Sequence, residues 1–135
     1  MRQIDIESCK KMFDASREKL NSAKKLHEAC FFSDAISRAY YAVFHILSLL
    51  LYCKGKTYSR HSQLIGDFNK EYIKPGIFPK NYGKAITNLY DGRQTGDYDV
   101  FVQFDEIESK KAIKDAEEII NGIKKYIEKE YCKLD

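Results

Sequence analysis

Arg38, Tyr41 and His45 lie three and four residues apart in the run from Ser37 to His45. On a helix, at about 100° per residue, Arg38 and His45 project within about 20° of each other, two turns apart, with Tyr41 between them. That row places a cation, a phenol and an imidazole on one face. A guanidinium presents a rigid fork of donors that matches a phosphate, and an imidazole takes or gives a proton near neutrality. Such a pair has the equipment to cleave RNA without a metal, the 2′-hydroxyl serving as nucleophile. The same residues have a plain structural reading. An arginine on an apolar helix pairs with a carboxylate, Asp97 or Asp99 here, and His45 serves as a hydrogen-bonded core or interface residue.

Two further constellations are weaker. Arg60-His61-Ser62 stands at an expected helix start, where unpaired backbone N–H groups hold an anion; His61 is alternatively part of the cap. Arg93, Asp97 and Asp99 lie on a segment framed by Gly92 and Gly96. A salt bridge or a cap accounts for them more simply than a metal, because further ligands are lacking. Those glycines have no strand–turn–helix context and so form no phosphate-binding fingerprint. No Ser-His-Asp arrangement, paired-carboxylate site or nucleotide-transfer motif is present, and no metal or cofactor is expected.

The elements that must position these groups read as helices. Ile6, Cys9, Phe13, Leu20, Ala23, His27 and Cys30 form one stripe at helical spacing. A short connection follows, with Ser33 or Asp34 as the expected N-cap of a second helix to Cys53. That helix is apolar nearly all round after Arg38, which predicts a central place in a bundle. Gly55 supplies its left-handed end. A shorter helix is expected near His61 to Glu71, then a turn-rich connector from Lys74 to Pro79. A helix from Lys80 to Arg93 follows, with a loop from Arg93 to Asp99. A last helix is expected from Asp105 to about Tyr131, opened by an Asp105/Glu108 capping box. The expected fold is all-α, an up-and-down antiparallel bundle of four main helices plus a short one, in one domain over 1–135.

Composition agrees with that reading. The chain has 135 residues, 44% hydrophobic and 32% charged, and its 2 Pro and 7 Gly leave little for the turns of a β-sandwich. Four widely spaced cysteines form no zinc pattern, and no apolar leader opens the sequence, so reduced thiols in a cytoplasmic protein are expected. The longest apolar run, Ala39 to Cys53, is fifteen residues and predicts no membrane span. Charge is uneven: residues 35–90 carry a net +6 and residues 91–135 a net −4. A basic middle suits phosphate-bearing partners without demonstrating them.

The segments Ser37-Arg38-Ala39-Tyr40-Tyr41-Ala42-Val43-Phe44-His45, Lys54-Gly55, His61-Ser62 and Arg93-Gln94-Thr95-Gly96-Asp97-Tyr98-Asp99, in that order, resemble the HEPN domain family. More narrowly, the chain is similar to the small stand-alone prokaryotic members. The resemblance runs from about Ile6 to Ile127. It implies a dimeric helical bundle and an Arg-x6-His motif formed by Arg38 and His45. Arg38 would then hold the scissile phosphate, and His45 would act in proton transfer or orient the 2′-hydroxyl. The binding face would use Tyr41, Arg60, His61, Arg93, Asp97 and Asp99 toward RNA or a nucleotide. A toxin paired with a minimal nucleotidyltransferase is one implied role. A non-catalytic RNA- or nucleotide-binding module partnering such an enzyme is another, and Tyr40 or Tyr41 as a nucleotidylation target a third.

Overall fold

The computed structural model describes residues 4–98, 101 and 103–135. Its helices are α1 (Ile6–Glu28), α2 (Phe32–Cys53), α3 (His61–Phe68), continued by a π-helical turn (Asn69–Ile73), α4 (Lys80–Tyr98) and α5 (Glu106–Glu130). Among the described residues there is no strand, so the all-α bundle expected from the hydrophobic spacing is what forms.

α2 is the hub. Ala35, Ala39 and Ala42, all fully buried, leave room for a neighbouring helix to approach closely. Ser16 on α1 uses that room: its hydroxyl donates to the Ala42 carbonyl at 2.6 Å inside the core. Ile46, Leu47, Leu49, Leu50 and Leu51 fill the remaining inner faces against α1, α4 and α5. At 22 residues α2 is long and apolar enough to cross a membrane, exceeding the fifteen-residue run read from the sequence. In the bundle those apolar faces are covered by the other helices. One line stays open, however: Asp34 and Arg38 are exposed, and Tyr41, His45, Ser48 and Tyr52 are half-buried. The helix is therefore not apolar all round in its packing.

The ends of the helices follow local chemistry where that chemistry is local. Asp105 and Glu108 form the capping box at α5, with Glu108 N–H donating to Asp105 at 2.8 Å. Gly55 takes φ +81° past the end of α2, a conformation that costs glycine little. The start of α2 differs from expectation. Cys30 adopts φ +67° and Phe31 N–H reaches back to the Leu26 carbonyl at 2.8 Å, so the chain reverses early and enters helix at Phe32 with no side-chain cap. Ser33, already helical, instead accepts from Phe104 N–H at 3.3 Å and ties α2 to the segment before α5.

The expected loop after Arg93 is also corrected, because α4 runs on to Tyr98. Gly92 lies inside that helix, where a Cβ would stand 3.3 Å from Ile36. It is a close-packing position between α4 and α2, and the two glycines are no breakers. Cys9, Cys53 and Cys132 meet at one end of the bundle as free thiols, and burial, then the neighbouring Cys132, pushes Cys9 up to about 11.

Candidate functional site

At Tyr41 the open line of α2 meets the start of α3 and the second half of α4, and aromatic residues gather there. His61, the first residue of α3, turns its ring back onto α2. Its Nδ1 is hydrogen-bonded to the Tyr40 hydroxyl at 2.7 Å. Its ring stacks on Phe44 with centroids 4.0 Å apart and meets the Tyr41 ring edge-on at 6.2 Å. His61 is thus no helix cap: the α3 N-cap is Arg60, which makes no side-chain capping bond and is exposed.

Arg93 comes in from α4. Its guanidinium lies 5.3, 5.6 and 5.8 Å from the ring centres of Tyr40, Tyr41 and Tyr90, within cation–π range of all three. Tyr90 is held in turn by Gln94, whose amide donates to its hydroxyl at 2.9 Å. Arg93 therefore sits over an aromatic floor and charges the neighbourhood of His61. Asp99 and the side chain of Asp97 lie outside the described residues.

Electrostatics follow from this packing. Burial lowers the pKa of His61, and the positive charge of Arg93 lowers it further. Burial also lowers that of His45, followed by the charges of Lys19 on α1 and of His61. Both imidazoles are therefore held neutral to lower pH than a free one. Tyr40 is 1% exposed and burial raises its pKa, with Arg93 pulling the other way. Its phenol stays protonated, and a hydroxyl this deep cannot meet a modifying enzyme; Tyr41 is the half-exposed member of the pair.

Arg38 and His45 border this cluster from either end. Arg38 is exposed and lines a cleft of about 380 Å³ with Leu26, Asp34, Ser37 and Tyr41. Among the described residues no carboxylate closes an ion pair with it; the expected partners Asp97 and Asp99 have side chains outside the described residues. His45 is half-buried beside Phe44, ring centres 5.7 Å apart, and its imidazole makes no hydrogen bond among the described residues. Tyr41 joins the Arg38 cleft to the Arg93 and His61 cluster. Of the residues read from the sequence, Tyr41, His61 and Arg93 come together, Arg38 and His45 flank them, and Arg60 stands apart. Phe44, Tyr90 and Lys19 were missed. Tyr90 alone left a signal, three residues before Arg93 on the same helix face.

Among the described residues no three His, Cys, Asp or Glu side chains gather as a metal-holding group. What the face offers is a guanidinium in an open cleft, two neutral-biased imidazoles, and tyrosine rings under a second guanidinium. Cations suit phosphates and exposed ring faces suit bases.

An all-α bundle of this kind is consistent with the HEPN domain. The sequence profile of that domain matches residues 9–126, and the chain belongs to the HEPN family. Its relatives include a UPF0332 protein of Thermotoga maritima, 39% identical over 84% of this chain and 86% of that protein. Another is a Methanocaldococcus jannaschii protein named "Putative toxin MJ0605", 33% identical over 88% of each chain. A second toxin-named protein of that organism is 28% identical over 87% of this chain and 80% of its own.

Proposed function

We propose that this chain is a metal-independent endoribonuclease of the toxin type, acting in the cytoplasm as a homodimer. Arg38 holds the non-bridging oxygens of the scissile phosphate and stabilises the charge that builds there. His45 moves a proton at the reacting oxygens. The 2′-hydroxyl oxygen attacks phosphorus, the bond to the 5′-oxygen breaks, and the products are a 2′,3′-cyclic phosphate and a 5′-hydroxyl. Tyr41 and Arg93 bind the flanking nucleotide by stacking and charge. The observation that carries this reading is that Arg38 and His45 both reach the surface on one side of an otherwise buried helix, and no ion pair or hydrogen bond among the described residues uses either. Relatives named as toxins fit the same reading.

The axial rise between the two residues is about 10 Å, a gap that the long Arg38 side chain bridges for both groups to act on one phosphate. A second copy of the face placed opposite would add its own pair. The competing reading is an RNA- or nucleotide-binding partner of a nucleotidyltransferase, favoured by the tyrosines under Arg93, which suit a base without requiring chemistry.

The deciding experiment incubates a mixed RNA pool with purified protein in EDTA, His45→Ala alongside. The expected result is metal-free cutting that the variant loses while keeping its helical spectrum. A folded variant cutting at the wild-type rate would sink the assignment. A wild type that retains RNA on a gel without cutting it favours the binding module.

A further inference from the structure

His61 is half-buried and its ring is held by three residues of α2. Phe44 covers one ring face at 4.0 Å and Tyr41 abuts it at 6.2 Å, while the Tyr40 hydroxyl takes Nδ1. With Nδ1 engaged, Nε2 is the ring's one available nitrogen. Phe44 also touches His45, so one phenyl ring spaces two imidazoles. The charge of His61 is felt at His45.

We propose that His61 is a second catalytic histidine of this face, the base that takes the 2′-hydroxyl proton, with His45 giving a proton to the departing 5′-oxygen. This rests on the ribonuclease reading above. In the step, the 2′-O–H proton passes to His61 Nε2 and the freed oxygen pair forms the bond to phosphorus. The bond from phosphorus to the 5′-oxygen breaks as that oxygen takes the proton from the His45 imidazolium. One imidazole gains the proton that the other loses, and solvent restores the starting pair.

The roles divide by neighbourhood. The groups facing His61 are Tyr40 and Tyr41 from α2 and Arg93 from α4; burial, and then the permanent charge of Arg93, keep His61 neutral and able to accept. Those facing His45 are Lys19 from α1 and His61 itself. Repulsion between the two imidazolium forms opposes double protonation, and because both pKa values are lowered, the form with one proton on His45 gains population as pH falls toward those values. Tyr40 is a positioning residue: its hydroxyl fixes the ring and reaches no substrate from inside the core.

The test uses full-length protein and two RNA substrates, one natural and one with sulfur replacing the bridging 5′-oxygen, a leaving group that needs no proton. His61→Asn keeps an amide where Nδ1 meets Tyr40; His61→Gln is carried beside it so that one variant retains the fold, judged by thermal melting. Removing a general base costs about 10²- to 10⁴-fold in rate. The expected pattern is that loss with natural RNA for His61→Asn and for His45→Gln, with the sulfur substrate rescuing His45→Gln alone. Rescue of the folded His61 variant, or its cleaving natural RNA at the wild-type rate with an unchanged pH profile, overturns the proposal and leaves the His45 assignment standing. A wild type that cuts neither substrate overturns the ribonuclease reading and the proposal together.

Discussion

Replacing Arg38 with alanine separates the two readings of that residue by magnitude. Its side chain is exposed, and Asp34, one turn earlier in the same cleft, closes no ion pair with it. Removing such a group changes stability by less than about 0.5 kcal/mol, and alanine is at least as good a helix former. For a chain of this size 1 kcal/mol moves Tm by about 4 °C, so Arg38→Ala should melt within about 2 °C of wild type. An arginine paired in the core would behave otherwise. Its loss would strand a buried carboxylate at a cost of about 3–5 kcal/mol, more than 10 °C. Activity should move the opposite way: losing a preorganised donor to the scissile phosphate costs about 10²- to 10³-fold in rate. Arg38→Lys should fall between, since it keeps the charge and loses the fork. The assay pairs thermal denaturation followed at 222 nm with cleavage in EDTA. A variant that melts more than 5 °C lower, or one that cleaves like wild type, refutes the reasoning.

Acid should weaken the fold. His45 and His61 both have folded pKa values below the ordinary 6.5, so their neutral forms contribute stability that is complete above about pH 6.5 and lost as pH falls through the folded values. Melting at steps from pH 8 to pH 5 should show Tm falling below pH 6.5, less steeply in a His45→Gln, His61→Asn double variant; an equal slope in both proteins contradicts the attribution. Asp105→Ala removes the cap at α5 and should cost about 1 kcal/mol, a fall in Tm of about 4 °C, with RNA cleavage unchanged because α5 carries none of the site.

What the sequence disclosed and what it withheld divide by range. The Arg38, Tyr41, His45 row was legible because helical period alone fixes which side chains share a face. The Asp105/Glu108 box and Gly55 were legible because each acts within a few residues of itself. Gly92 misled because the sequence shows a missing side chain without showing the Ile36 that occupies its place. The Tyr40, His61 and Arg93 assembly draws on α2, α3 and α4, and the meeting of Cys9, Cys53 and Cys132 on both ends of the chain. No local pattern encodes such meetings; they follow from how the helices pack around α2.

The hydrogen bond from Tyr40 to His61 has one further consequence. Tyr40 belongs to the core by burial and to the site by its hydroxyl, so the face proposed as catalytic inherits its rigidity from the same helix that organises the interior. Ordering that ring is completed when the protein folds and is not repeated with each RNA that arrives. Substitutions deep in α2 should therefore impair turnover before they unfold the protein, since a core repacked by half an ångström still holds together while an imidazole displaced by that much no longer meets its oxygen.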